Sequence, residues 1–208
     1  PPYHDRQDTA TNTAPRFSML HDLMRSLKKG KSFLLMESSP GPTNWMQINR
    51  LLRPGQHKLK SLQAVAHGSD GVCYFQIRKG RGGSEKFHGA VIDHVGTEDN
   101  RMFREVAALG EDLKKLSPIV GAETPAKVGI IYDWESRWAL DAANGPSQFT
   151  KDHDAAMLAH YKPFWKMGVP VDFLNGDSIL DGYSIVVAPQ LYLLREGFAE
   201  RVEKFVAT

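Results

Sequence analysis

Glu37 is the residue best placed to do chemistry, because it directly follows the apolar run 33–36. Four apolar residues are too few for a helix and are typical of a strand in a parallel sheet buried on both faces. A carboxylate at the carboxyl end of such a strand points toward the mouth of a barrel, where a nucleophile belongs. A loop carboxylate that faces water is the alternative, and position alone leaves both interpretations open.

Trp45 and the pair Glu85 and His88 lie in the segments that follow two predicted strands. The flat face of Trp45 suits a sugar ring, although core packing is the commoner fate of a tryptophan. A carboxylate and an imidazole can bind adjacent hydroxyls, each of which donates and accepts a hydrogen bond. A metal site competes, since Glu and His three apart share a helix face, but one such pair supplies only two ligands.

Four further side chains have simpler interpretations. Arg78, at the end of its predicted strand, can fix a carboxylate through a bidentate pair or form an ordinary structural ion pair. His67 and His94 belong to no recognisable pattern and are taken as structural or surface residues. Cys73 lies inside a predicted strand and is interpreted as a small buried apolar group.

The elements that must position these residues alternate between helix and strand up to Pro118. Apolar spacings of three and four predict helices, the first of which stops at Gly30, and short apolar runs predict strands. The helices are predicted at 17–27, 59–66 and 102–116, and the strands at 33–36 and 72–77. Long loops follow the strands, so this part is typical of a parallel α/β barrel.

A second α/β pattern follows a linker at 117–125. Strands are predicted at 127–133, 169–174 and 183–189, with helices at 153–167 and 196–206. This alternation is typical of a doubly wound sheet, but no G-x-G-x-x-G phosphate loop accompanies it, which weakens a flavin or nucleotide site. The aromatic residues here fit either a core or a subunit interface; they are Trp134, Trp138, Tyr161, Phe164 and Trp165.

Composition excludes several classes of function. The chain of 208 residues has 26 Lys plus Arg against 24 Asp plus Glu, a net charge of +2. So small a charge argues against nucleic acid and anionic membranes as partners. No apolar run approaches the roughly 20 residues of a membrane helix. The single cysteine permits neither an internal disulfide nor a four-cysteine zinc site, and we expect a reducing compartment, the cytoplasm.

Five blocks, in order, closely resemble glycoside hydrolase family 42 β-galactosidases. They are FLLMESSPGPTNW at 33–45, PG at 54–55, QAVAHGSDG at 63–71, YFQIR at 74–78 and EKFH at 85–88. The resemblance continues through FREV at 103–106, VGIIYDWE at 128–135 and VVAP at 186–189. It implies the C-terminal part of a TIM (β/α)8 barrel over residues 1–120, then part of a flavodoxin-like trimerisation domain over 121–208.

The resemblance also implies roles for the candidate residues. Glu37 would be the nucleophile of a retaining β-galactosidase, Trp45 a wall of the galactose subsite, and Glu85 and His88 partners of galactose hydroxyls. The family's acid/base lies in an Asn-Glu motif, and this sequence contains no Asn-Glu pair. We therefore expect an inactive piece of a longer homotrimeric enzyme, with neither metal nor cofactor. A non-catalytic oligomerisation or carbohydrate-binding module is the alternative.

Overall fold

The computed structural model describes residues 13–29, 31–145 and 151–207. It divides into two compact units. Of the described residues, the first unit comprises 13–17 and 31–123, and the second comprises 18–29, 124–145 and 151–207. The chain therefore contributes to the second unit, leaves it, and returns about 95 positions later.

Two parallel strands and two long helices form most of the first unit. After helix α1 (Ala14–Ser26), the elements are β1 (Phe33–Ser38), α2 (Gln56–Ala66), β2 (Ser69–Tyr74), α3 (Arg101–Lys115) and a short 3-10 helix (Ser117–Ile119). β1 pairs with β2, and Ser38 lies opposite Tyr74. The predicted helices and strands are therefore present in the predicted order; the predicted stop at Gly30 lies outside the described residues.

β2 begins and ends about three residues earlier than the run 72–77 predicts. The residues after it are still held by backbone hydrogen bonds: Gln76 O accepts from Val91 N at 3.0 Å, and Ile77 O accepts from Ile92 N at 2.8 Å. Apolar character continues past the point where the ladder with β1 stops, because the chain there pairs with a later loop instead.

The prediction that β1 is buried on both faces is wrong. Leu34 and Met36 of β1 are 53% and 69% exposed, so this strand is not covered on both faces in the described structure. On α2 the inward residues are polar or small, namely His57, Lys60, Ser61 and Ala64, whereas Leu59 is 69% exposed. Small side chains such as Ser61 and Ala64 let the helix approach β2 closely, which explains why this face turns inward.

The second unit is a three-stranded parallel sheet with helices around it. Its elements are β3 (Val128–Ile131), α4 (Trp134–Ala142), α5 (His153–Lys166), β4 (Val171–Leu174), β5 (Ile185–Val187) and α6 (Phe198–Ala207). The strand order is β4-β3-β5, which is the 2-1-3 order that begins a flavodoxin-like sheet. The sequence analysis missed α4, a helix of 9 residues whose N-cap Asp133 accepts from Ser136 N at 2.8 Å.

Helix α1 supplies part of the second unit's core. Met19 and Leu23 are buried in one cluster with residues of β3, β4 and α5. Trp165 Nε1 donates to Ser18 Oγ at 2.9 Å, and Phe173 N donates to Ser26 Oγ at 2.9 Å. The structure thus places residues 18–29 in the second compact unit, whereas the sequence analysis assigned everything before residue 121 to the first.

No helix in the described part of the chain is both long enough and apolar enough to cross a bilayer.

Candidate active site

Glu37 is the penultimate residue of β1, at the carboxyl end of the strand, and its side chain is exposed. Its neighbour Ser38 is buried, and Ser38 O accepts a hydrogen bond from Phe75 N at 3.1 Å. The two neighbouring side chains at the end of β1 therefore differ in environment, with Ser38 buried and Glu37 exposed. This strand-end position is the one that the apolar run 33–36 predicts.

The loops that follow β1 and β2 are joined to one another. Gly89 N donates to Pro42 O at 2.6 Å, and Asn44 Nδ2 donates to Ser84 O. The backbones touch so closely that a Cβ on Gly89 would lie 2.5 Å from Gly41 Cα. Both loops leave the carboxyl ends of adjacent parallel strands, so they start from the same edge of the sheet as Glu37.

His88 is held in one orientation within this pair of loops. Its ring is 3% exposed and meets the Phe75 ring edge-on at a centroid distance of 5.0 Å. Its Nδ1 lies 3.1 Å from Gly89 O, and a carbonyl oxygen only accepts, so Nδ1 carries a proton. In the neutral imidazole Nε2 is then an acceptor, the group that a hydroxyl ligand requires.

Glu85 lies on a turn rather than on a helix. Its backbone carbonyl accepts from His88 N at 2.9 Å, while its carboxylate is exposed. The helix face on which the metal alternative depended is therefore not formed. Within the described ranges no three or more His, Cys, Asp or Glu side chains are grouped to hold a metal ion.

Trp45 lies on the loop after β1 and is 53% exposed, so the core-packing alternative is wrong in this structure. The loop is braced by Asn49, whose Oδ1 accepts from Thr43 Oγ1 at 3.0 Å and from Met46 N at 3.1 Å. Two hydrogen bonds on either side of Trp45 fix its backbone while its ring faces solvent.

The remaining sequence candidates have other roles. His94 Nε2 lies 2.8 Å from Gly80 O, and the backbone N of His67 ends α2 by donating to Gln63 O at 3.1 Å. Arg78 forms no ion pair with the described residues. Cys73 is exposed, so its assignment as a buried apolar group is wrong. Cys73 lies on β2, in the same two-stranded sheet as the exposed Leu34 of β1.

Sequence reasoning missed a buried polar cluster under the strand ends. His57 is fully buried, and neither ring nitrogen has a hydrogen-bond partner among the residues that the structure describes. Lys60, one turn later, donates from Nζ to Ser39 O at 3.0 Å. The buried residues of this helix do recur at helical spacing, at 57, 60, 61 and 64. A lysine at one of these positions nevertheless favours a solvent-facing side, because lysines are rarely buried.

Comparison with known proteins decides the family. Residues 2–116 match the family described as "Beta-galactosidase", glycoside hydrolase family 42. The chain belongs to this family. Residues 126–208 match the "Beta-galactosidase trimerisation domain" of family 42. The family resemblance is thereby confirmed, and so is the fold class, the C-terminal part of a TIM barrel followed by part of a flavodoxin-like domain.

Several family-42 relatives match over nearly the whole chain. The β-galactosidase Pbg of Clostridium perfringens is 50% identical over 205 residues, 99% of this chain and 30% of its own length. The crystal structure of a β-galactosidase from Rahnella sp. R3 is 53% identical and has a TM-score of 0.94, over 98% of this chain and 30% of that one. This chain thus spans about 30% of the length of these family-42 relatives.

Proposed function

We propose that the whole protein containing this chain is a retaining β-galactosidase that hydrolyses terminal non-reducing β-D-galactosides. The observation that carries the proposal is the exposed carboxylate of Glu37 at the carboxyl end of β1, beside the joined loops that bear Trp45, Glu85 and His88. The names of the family-42 relatives support the substrate class.

The proposed reaction is a double displacement. The Glu37 carboxylate attacks the anomeric carbon and forms a galactosyl-enzyme intermediate, which water then hydrolyses. A second carboxyl group about 5 to 5.5 Å away must protonate the leaving group and then activate the water. Two carboxyl groups and water suffice for this chemistry, so it requires no cofactor.

The other three residues are proposed to bind galactose. His88 Nε2 accepts a hydrogen bond from one galactose hydroxyl, and the exposed Glu85 carboxylate accepts one from an adjacent hydroxyl. The Trp45 ring offers an apolar face to the C–H side of the sugar. The loops that carry these groups are joined by the hydrogen bond from Gly89 N to Pro42 O.

Azide rescue tests the nucleophile in the whole protein. Glu37→Gly should abolish turnover of a nitrophenyl β-galactoside while leaving the fold intact, since an exposed side chain contributes little packing. Azide enters the vacated space and should yield a galactosyl azide of inverted configuration. Glu98→Gly, which removes an exposed loop carboxylate, should keep full activity. No azide product, or one of retained configuration, contradicts the role of Glu37.

The isolated 208-residue chain should not turn over the same substrate. Its sequence contains no Asn-Glu pair, and one carboxyl group cannot both attack the anomeric carbon and protonate the leaving group. Turnover that Glu37→Gln abolishes would contradict this and would make Glu85 the acid to test.

We further propose that the second unit assembles the whole protein into a homotrimer. The match to the trimerisation domain supports this, and so do the aromatic rings of Trp134 and Trp138, which are 42% and 62% exposed. Such rings are enriched in interfaces. Deleting residues 126–208 should give monomers in light scattering, and a surviving trimer would contradict the assignment.

A non-catalytic oligomerisation or carbohydrate-binding module is the second candidate, favoured by the missing Asn-Glu pair. A module would bind galactosides without turnover in the whole protein. Neither candidate involves nucleic acid or membranes, given the net charge of +2. A single cysteine fits the cytoplasm as the proposed compartment.

A further inference from the structure

Lys60 is a buried cation on the inward face of α2. Lys60 is only 8% exposed, and its Nζ donates a hydrogen bond to Ser39 O at 3.0 Å. It forms no ion pair with a carboxylate of the described residues. A lysine normally keeps its ammonium in water and buries only its stem, so an ammonium held inside by one carbonyl calls for an explanation.

The carbonyl that Lys60 holds lies two residues beyond Glu37. The residue between them, Ser38, is fixed from the other side, because Ser38 O accepts from Phe75 N. Ser39 Oγ donates to Gly41 O at 2.9 Å and shapes the turn that follows. The two peptide units after Glu37 are therefore held both by Phe75, the residue that follows β2, and by Lys60 of α2.

We propose that Lys60 is a positioning residue of the active site, whose ammonium fixes the Ser39 carbonyl and thereby the direction in which the Glu37 carboxylate leaves the strand. This inference rests on the proposed function of Glu37. A carbonyl without its donor can rotate its peptide unit, and that rotation passes to the end of β1. A displacement of about 1 Å at a nucleophile can cost on the order of 100-fold in rate.

The charge of Lys60 is sensitive to alkaline pH. Burial lowers the pKa of Lys60 to about 8. His57 on the same helix stays neutral there, because burial and then the Lys60 charge lower its pKa to about 4. Burial raises the pKa of Tyr74 on β2, while Arg101 and Glu105 on α3 act on His57 in opposite directions. Lys60 is thus the member of this cluster that changes charge near pH 8.

Between about pH 8 and pH 10.5, the positioning of Glu37 and the stability of the fold then change in opposite directions. A folded-state pKa of about 8 lies below the unfolded value of 10.5, so between these values the unfolded chain binds more protons and stability rises with pH. The charge-assisted bond to Ser39 O weakens over the same range, so activity falls. A residue that served only packing would not produce this divergence.

The test uses the whole protein and 2,4-dinitrophenyl β-galactoside, whose leaving group needs no proton, so that the general acid adds no alkaline limb. Lys60→Met should lower kcat by about 10- to 100-fold with little change in KM, since Trp45, Glu85 and His88 are untouched. The unmodified protein should lose kcat/KM above about pH 8. Lys60→Arg should move that limb to higher pH, because arginine stays charged.

Lys58→Met is the matched control on the same helix. The Lys58 side chain is 49% exposed and pairs with Asp112 at 2.6 Å, so its loss should leave kcat and the pH profile unchanged. Normal kcat in Lys60→Met, or an alkaline limb that Lys60→Arg does not move, would overturn the proposal. If Lys60→Met does not fold, the Lys60→Arg profile decides. Azide rescue of Glu37→Gly tests the nucleophile separately, so the two failures are distinguishable.

Discussion

Arg25 Nη1 donates to Asp172 Oδ1 at 2.7 Å across 147 positions of sequence. The same guanidinium donates from Nη2 to Val171 O at 2.7 Å, and Asp172 also accepts from Tyr183 OH at 2.9 Å. A second contact joins Tyr161 OH to Asp22 Oδ2 at 2.5 Å. Helix α1 is therefore tied to β4 and α5 by charge as well as by the burial of Met19.

Arg25→Met should destabilise the second unit by about 3 to 5 kcal/mol, because it leaves the largely buried Asp172 without its cation. Arg104→Met is the control, since the Arg104–Asp99 pair is exposed and should contribute nothing measurable. Urea denaturation followed by near-ultraviolet circular dichroism compares the two. Equal midpoints for both variants would show that α1 is not anchored by this pair.

Gly89→Ala should separate the two loops of the candidate site. The new Cβ would lie 2.5 Å from Gly41 Cα, and backbone on both sides cannot yield without moving Pro42 or His88. We expect kcat/KM of the whole protein to fall by about 100-fold. Gly82→Ala, where a Cβ meets nothing within 4 Å, should keep normal kinetics. Normal kinetics in Gly89→Ala would mean that the loops need not touch.

His57→Leu should make the protein more resistant to acid. The folded-state pKa of about 4 lies below the ordinary value of 6.5, so the unfolded chain binds the extra proton between them and stability falls as pH drops through that window. The loss amounts to about 3 kcal/mol at most. Thermal melting at about pH 7 and pH 4 should show a smaller drop for the variant, and identical drops would refute the linkage.

Trp45→Ala should weaken galactoside turnover without affecting assembly. Loss of the aromatic face should lower kcat/KM by about 10- to 100-fold. Light scattering should still show the proposed trimer. Trp138→Ala, in the second unit, should instead promote dissociation of the proposed trimer. A Trp45→Ala protein that dissociates would show that the roles of the two tryptophans are assigned to the wrong units.

Local patterns predicted the elements that position Glu37, but not the contacts that hold them. The apolar run 33–36 sufficed for β1 and for the strand-end place of Glu37. The inward face of α2 was not predicted, because Leu59 suggests burial and Lys60 suggests exposure to solvent, and only the packing against β2 decides between them. The assignment of residues 18–29 depends on partners such as Asp172, which no local window contains.

Helix α1 also has a consequence for synthesis of the chain on the ribosome. Met19 and Leu23 complete a core whose other members extend to Phe173, so translation must continue for about 150 residues before α1 can be buried. At about 5 to 20 residues per second, that interval is roughly 8 to 30 s. In that interval β1 and β2 of the first unit can already pair. The apolar face of α1 stays exposed until the last residues of its core have been synthesised.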